Sequence, residues 1–164
     1  MPDYFPAATA FLLGPNIEGS GAAGQSDPGG ETKWAVARNR HPEITATQWS
    51  CWTRDNSEAL LRSDYWDKSR CGKMSWRWAL AIFSGEVNQG SVIVCAQRAL
   101  GIRADGVIGP GTLAAMSSAT DFHLAAFQRN RAKAYIANSR FSIFGDGWLD
   151  RLFLETIAAM RAPA

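Results

Sequence analysis

The segment MSWRWALAIFSGEV, residues 74–87, is almost continuously apolar. It is too short to span a bilayer, which takes about 20 apolar residues. An apolar run of this length, followed by the polar break Asn88-Gln89-Gly90, is typical of a helix that is buried on all its faces. We therefore predict that residues 74–87 form the central buried helix of the fold.

Helical patterns continue on both sides of this segment, so the predicted fold class is mainly α. Toward the N-terminus we predict a short helix near 7–13, a turn capped by Thr45, and a helix at 58–66 capped by Ser57. Toward the C-terminus we predict helices at 91–100, 110–116 and 121–137, the last capped by Asp121, and a final helix from Trp148 after a break at Gly145-Asp146-Gly147. A short hairpin near 24–37 is the single β element that the pattern allows.

The composition is that of an ordinary globular protein, with 46% hydrophobic and 20% charged residues in a chain of 164. The net charge of +2 suits approach to an anionic surface such as a cell wall, and it is too small to indicate a nucleic-acid partner. The N-terminus lacks the pattern of a signal peptide, and no segment is long enough for membrane insertion. Cys51, Cys71 and Cys95 lack zinc-site spacing and are interpreted as free thiols, with one disulfide plus one free thiol as the alternative.

Residues 14–33 are rich in glycine and are predicted to form a long, shaped loop. The loop contains Glu18, Asp27 and Thr32. Hydrolysis of a glycosidic bond needs a proton donor and a second polar group that activates water or stabilises the cationic transition state. Glu18 follows the apolar Ile17, and apolar surroundings keep such a carboxyl protonated. From the spacing alone, a capping role for Glu18 and a turn without chemistry at Asp27 stay open.

Several motifs stand in a fixed order along residues 10–155. Ile17-Glu18-Gly19 and Asp27-Pro28-Gly29-Gly30-Glu31-Thr32 come first, then Asp64-Tyr65-Trp66-Asp67, Val87-Asn88-Gln89-Gly90, Ala96-Gln97-Arg98-Ala99-Leu100-Gly101 and Asp105-Gly106-Val107-Ile108-Gly109-Pro110, and last Arg131, Tyr135, Gly147-Trp148 and Arg151. This ordered set resembles glycoside hydrolase family 108, the lysozyme-like N-acetylmuramidases of phages and prophage regions. Any one motif is weak, and the order of the set is what makes the resemblance specific.

The resemblance implies a lysozyme-like helical fold that cleaves between N-acetylmuramic acid and N-acetylglucosamine without a metal or organic cofactor. It implies that Glu18 is the catalytic acid. By analogy with T4-type phage lysozymes, Asp27 and Thr32 hold the attacking water. The predicted substrate contacts are Trp34, Tyr65, Asn88 and Gln89. For Asn88 and Gln89, which lie at a helix break, helix capping stays open as an equal alternative.

The chain departs from the family pattern at several positions. Ser20 and Gly21 stand where the first motif has Gly and Tyr, and Ala35-Val36 stands where Gly-Ile follows the Thr motif. Ser84 replaces an Asp, and Glu86 is the nearest carboxylate, although residues two apart on a helix face different ways. These changes bear on affinity and strength of activity, since the acid itself is retained.

The aromatic and basic residues have two interpretations. Trp34, Trp49, Trp52 and Trp66 are candidates for lining a sugar groove, whereas Trp76, Trp78 and Trp148 are assigned to the core. Arg129, Arg131 and Lys133 are interpreted as a solvated helix face.

The predicted organisation is a lysozyme-like catalytic region at 1–90 and a peptidoglycan-binding-like helical region at 91–164, packed into one compact domain.

The expected protein is a monomeric endolysin whose partner is bacterial peptidoglycan, with no nucleic acid and no membrane insertion. It is expected to be made in the host bacterial cytoplasm and to reach the wall after the inner membrane is permeabilised. Two alternatives stay open: a virion-associated or wall-binding protein of the same fold with weak or lost catalysis, and a chitinase-like glycosidase.

Overall fold

The structure is a computed structural model that describes residues 2–15, 17, 30–161 and 163. Within these residues the chain forms eight α-helices and one short hairpin. The helices are α1 (Phe5–Leu12), α2 (Ala46–Ser50), α3 (Arg54–Leu61), α4 (Trp76–Asn88), α5 (Val92–Ala99), α6 (Pro110–Ser117), α7 (Asp121–Ile136) and α8 (Phe141–Ala159). The mainly α fold class is confirmed.

The predicted central helix is present as α4. It begins at Trp76, two residues later than predicted, because Ser75 occupies its N-cap. Met74, the first residue of the apolar run, is buried just before the helix. Residues Trp78 to Gly85 are all buried, and α4 contacts α1, α5 and α8. Since its neighbours cover nearly every face, the apolar run of the sequence is explained by burial rather than by a membrane.

The β element is a two-stranded antiparallel hairpin of β1 (Thr32–Lys33) and β2 (Val36–Ala37). Thr32 pairs with Ala37, and Lys33 pairs with Val36. It lies at the C-terminal end of the range 24–37 in which a hairpin was predicted, and residues 24–29 lie outside the described residues.

The predicted cap at Ser57 is wrong. Thr53 begins α3, and its hydroxyl accepts a hydrogen bond from the backbone N–H of Asn56 while the Asn56 side chain reaches back to Thr53. Ser57 is buried inside the helix, where its hydroxyl donates to the carbonyl of Lys33 at 3.3 Å. The error arose because a serine that anchors a distant strand has the same local sequence as a serine that caps a helix. Thr120, not Asp121, likewise occupies the N-cap of α7.

The predicted break at Gly145-Asp146-Gly147 is also wrong, because α8 runs without interruption from Phe141 to Ala159. Gly145 is buried, and a Cβ atom at this position would lie only 2.8 Å from the ring of Phe141. The glycine therefore serves close packing inside a helix. Its helix-propensity cost of about 1 kcal/mol is offset by tertiary contacts that the local sequence does not reveal.

The predicted solvated face on α7 is correct for Arg129 and Lys133, which are exposed, and wrong for Arg131, which is fully buried. Residues two apart on a helix project in roughly opposite directions, so these three side chains cannot share one face. Arg131 instead lies on the buried side of α7, together with Leu124 and Phe127. It forms an ion pair there with Glu155 of α8, which is also fully buried.

The cysteines are all free, as predicted: Cys51 is exposed, whereas Cys71 and Cys95 are buried. Burial raises the pKa of the Cys71 thiol. Within the described residues, no helix is both long and apolar enough to cross a membrane. The same part of the chain holds no cluster of three or more metal-ligating side chains.

Candidate functional site

The described residues form an open groove of about 1390 Å³. The hairpin segment and the helix turn around Tyr65 contribute one set of lining residues. The end of α4, the second half of α7 and the first half of α8 contribute the others. The groove is larger than the roughly 300–1,000 Å³ typical of small-ligand pockets, so it can accommodate several units of an extended polymer.

Four predicted site residues line this groove: Thr32, Tyr65, Asn88 and Gln89. Ile17, the residue before Glu18, lines it as well. Trp34 is half-buried against the core and is not among the described lining residues. The predicted roles of Glu18 and Asp27 fall on positions outside the described residues.

The position of Thr32 is fixed by contacts of the next residue. Lys33 donates from Nζ to the backbone carbonyl of Trp49 at 2.7 Å, and its ammonium lies 5.2 Å from the centre of the Trp49 ring. The carbonyl of Lys33 accepts from Ser57, whose hydroxyl in turn accepts from Trp52 Nε1 at 2.7 Å. The hairpin is thereby tied to α2 and α3, so Thr32 is held by rigid elements.

The hydroxyl of Thr32 is only weakly used by the protein. It donates to the carbonyl of Gly30 at 3.4 Å, near the outer limit of a hydrogen bond, and its side chain is half-buried. A hydroxyl carries two acceptor lone pairs as well as its proton. Thr32 can therefore bind a water or a sugar hydroxyl at the groove surface.

Tyr65 lies in a π-helical turn, residues Arg62–Asp67, that continues α3. Such turns are rare and are often found at functional sites, because the extra residue shifts the side chains that follow. Here it places Trp66 in the core and Tyr65 half-exposed in the groove. Burial raises the pKa of the Tyr65 hydroxyl, so it stays protonated and can act as a hydrogen-bond donor to substrate.

The amides of Asn88 and Gln89 are already used by the protein. Asn88 Nδ2 donates to the carbonyl of Ser84 at 3.0 Å, which caps the last turn of α4. Gln89 Oε1 accepts from Arg131 Nε at 3.0 Å, and Gln89 Nε2 donates to the Arg131 carbonyl at 3.1 Å. Each amide keeps one N–H donor and at least one acceptor position, so substrate binding by these residues stays a prediction. The contacts of Gln89 support a role in positioning α7.

The sequence of residues 15–90 matches the family model described as glycosyl hydrolase 108. This part of the chain belongs to the glycosyl hydrolase 108 family. The family assignment supports a glycoside hydrolase, and in general terms a hydrolase of peptidoglycan. Residues 91–164 lie outside the match, so the division at residue 90 and the peptidoglycan-binding-like character of the second region stay predictions.

The whole chain is similar in structure to Brucella abortus SagA. The TM-score is 0.84 at 22% sequence identity, and the match covers 95% of this chain and 93% of the SagA chain. At this identity the likeness is one of fold, and the predicted lysozyme-like helical fold is confirmed. No curated protein matches the sequence.

One departure from the glycosyl hydrolase 108 motif lies at the turn of the hairpin. Trp34 and Ala35 both have positive φ values, 49° and 65°. Turns with two such residues favour Asn-Gly, and Ala35 occupies the position where the family motif has glycine. A left-handed conformation costs a non-glycine residue about 1–2 kcal/mol. The hairpin that carries Thr32 is therefore locally strained.

Ala35→Gly is expected to raise the free energy of unfolding by about 0.5–1 kcal/mol, because relief of the strain exceeds the entropy that glycine adds to the unfolded chain. Ala37→Gly is the matched control. Ala37 has a φ of −88° and a ψ of 117°, where alanine is unstrained, so this variant is expected to lose stability. Urea unfolding measures both; equal losses in the two variants would contradict the strain at Ala35.

A second departure lies on α4. Ser84 is fully buried, and its hydroxyl has no hydrogen-bond partner among the described residues. Glu86 is half-buried, its pKa is raised by burial, and its carboxylate accepts from Ser69 at 3.5 Å. Glu86 is not among the described residues of the groove. The position of Glu86 therefore does not support the idea that this residue replaces the Asp that the family has at position 84.

Aromatic residues of α7 and α8 form a groove wall that the sequence interpretation missed. Trp148 was assigned to the core, but it is half-buried and lines the groove. Its ring stacks on Tyr135 at 5.2 Å and on Phe144 at 5.9 Å between ring centres. Conversely, Trp49 and Trp66 are buried and do not line the groove as suggested.

A signal for this wall was present in the sequence. Tyr135, Gly147, Trp148 and Arg151 were part of the ordered motif set, and all four line the groove. Positions 147, 148 and 151 have the spacing of one helix face. Because the predicted break at 145–147 separated Trp148 from Phe144, the sequence interpretation did not recognise that these residues share a helix.

Proposed function

We propose that this protein is an N-acetylmuramidase that cleaves peptidoglycan between N-acetylmuramic acid and N-acetylglucosamine, with Glu18 as its general acid. The observation that carries the proposal is the position of Ile17 and Thr32. Ile17 directly precedes Glu18, and Thr32 ends the Asp-Pro-Gly-Gly-Glu-Thr motif. Both line a groove that is large enough for a glycan strand.

In the proposed mechanism, the carboxyl of Glu18 donates its proton to the oxygen of the leaving sugar. Apolar neighbours such as Ile17 favour the protonated carboxyl before the reaction. Asp27 and the hydroxyl of Thr32 hold the attacking water and stabilise the positive charge that develops on the sugar ring. The rigid support of β1 by Lys33 keeps the Thr32 hydroxyl in one position, which lowers the entropic cost of orienting water.

The proposed setting is that of an endolysin of phage or prophage origin. The protein would be made in the host cytoplasm and would act on the wall once the inner membrane is permeabilised. The mildly basic surface supports approach to an anionic wall. In this proposal the protein acts as a monomer and needs no metal or organic cofactor.

Analysis of the released sugar ends tests the proposal. Purified peptidoglycan is digested, the new reducing ends are reduced with borohydride, and the fragments are identified by mass spectrometry. A muramidase yields reduced N-acetylmuramic acid ends. Reduced N-acetylglucosamine ends, or cleavage of chitin oligosaccharides at a comparable rate, would overturn the assignment. Absence of any turnover, together with recovery of the protein in purified phage particles, would favour a virion component.

A further inference from the structure

The described lining of the groove carries an excess of positive charge. Arg40, Arg140 and Arg151 line the groove, and Asp150 is the single carboxylate among its described lining residues. Arg40 ends the short 3-10 turn after the hairpin, and Arg140 directly precedes α8. The charges therefore come from separate elements of the chain that meet at one surface.

Two of the groove arginines have no carboxylate partner within the described part of the chain. Arg38, Arg54, Arg62, Arg77 and Arg131 each pair with a carboxylate. Arg40 and Arg140 are exposed, and their guanidinium groups form no ion pair or hydrogen bond with the described residues. Positive charges that outnumber the carboxylates around one groove stabilise an anion bound there.

The charged residues lie next to the aromatic wall. Phe144 follows Arg140 by one helical turn, and Trp148 precedes Arg151 by three residues on the same face of α8. Trp148 and Phe144 are half-buried, so each keeps part of its ring surface open to the groove. An aromatic surface packs against the apolar faces of sugar rings or of small side chains, whereas a guanidinium binds a carboxylate through parallel hydrogen bonds.

A neutral glycan such as chitin matches the aromatic surface and leaves the arginines without partners. Peptidoglycan matches both features, because short peptides with free carboxylates branch from its glycan. We propose that Arg40 and Arg140 bind the carboxylates of these peptide stems, so that the groove selects stem-bearing glycan over neutral glycan. This inference rests on the proposed function for the presence of peptidoglycan in the groove.

The test compares two soluble tetrasaccharides of alternating N-acetylglucosamine and N-acetylmuramic acid. One carries peptide stems; in the other an amidase has removed the stems and the lactyl carboxylates that this frees have been converted to methylamides, so that it is neutral. Isothermal titration calorimetry measures their dissociation constants for the full-length protein. The wild type is expected to bind the stem-bearing form about tenfold more tightly, since each exposed charge pair contributes a few-fold. The preference is expected to shrink with added salt.

The double variant Arg40→Gln/Arg140→Gln is expected to bind both glycans with nearly equal affinity. The matched control is Arg129→Gln/Arg103→Gln, which removes the same charge from exposed arginines that do not line the groove and is expected to keep the wild-type preference. Equal binding of both glycans by the wild type, a preference that survives in the groove variant, or an equal loss in the control would each overturn the inference. No binding to either glycan would overturn it as well.

The same solutions are assayed for new reducing ends, which separates this inference from the proposed function. A wild type that prefers the stem-bearing glycan and releases no reducing ends would overturn the enzymatic proposal and leave stem binding supported. A wild type that cleaves muramic acid linkages in both glycans and binds them equally would support the enzymatic proposal and overturn stem binding by the two arginines.

Discussion

Glu18→Gln is expected to lower the rate of reducing-end release from peptidoglycan by about 10²–10⁴-fold, the usual contribution of a positioned general acid. The amide has nearly the same shape as the carboxyl, so substrate binding and folding are expected to be preserved. It lacks a proton acidic enough to transfer to the leaving sugar oxygen, so the leaving group departs as a poor alkoxide. Release of reducing ends and loss of turbidity of a wall suspension measure the effect.

Glu31→Gln is the matched control for this experiment. Glu31 lies in the neighbouring Asp-Pro-Gly-Gly-Glu-Thr motif, is exposed, and pairs loosely with Arg38 at 3.9 Å. Exposed pairs of this kind contribute less than about 1 kcal/mol, so near-normal activity and stability are expected. Near-normal lytic activity in Glu18→Gln, or an equal loss in Glu31→Gln, would show that the acid has been misassigned.

The helical core was predictable from the sequence because its signals are local. The apolar run at 74–87 indicated α4, and Thr45 with Gln48 forms the capping box that begins α2. The signals failed where a residue serves a distant partner. Ser57 supports Lys33, which is 24 positions away, and Gly145 admits the ring of Phe141. The local sequence around a serine or a glycine does not distinguish a residue that caps a helix or forms a turn from one that packs against a distant partner.

The candidate site was predictable only in part. Thr32, Tyr65, Asn88 and Gln89 were chosen because they resemble family motifs, and the fold brings all four to one groove. Nothing in their spacing predicts that convergence, since it depends on how the hairpin packs on α2 and α3. The wall around Trp148 was missed for the same reason, because its partner Tyr135 lies on a different helix.

The buried ion pair between Arg131 and Glu155 ties α7 to α8 and α4. Glu155 Oε1 accepts from Arg131 and from Gln128 Nε2, the latter at 2.8 Å. Arg131 also donates to the carbonyl of Ala81 in α4 and to Gln89 at the groove. Removing one partner of such a pair leaves an uncompensated charge that water cannot reach.

Glu155→Gln is therefore expected to lower the free energy of unfolding by about 3–5 kcal/mol, whereas Glu58→Gln is expected to lower it by less than about 1 kcal/mol. The substitution is identical in both cases. Glu58 pairs with Arg54 on the surface at 2.7 Å, so solvent replaces the lost contact. Urea unfolding measures both variants, and similar losses in the two would contradict a role for burial.

The double variant Arg131→Met/Glu155→Leu separates the stability of the ion pair from its positioning role. Apolar residues of similar volume remove both charges together, so most of the stability lost in Glu155→Gln is expected to return. Gln89 Oε1 then loses the hydrogen bond from the Arg131 guanidinium, and the side chain at the groove is held only by the bond from its Nε2 to the backbone carbonyl of residue 131. We expect a stable protein with a raised KM for peptidoglycan, because a less firmly held Gln89 side chain weakens binding at the groove while Thr32 keeps its support from Lys33. An unchanged KM in a stable double variant would limit the pair to a structural role.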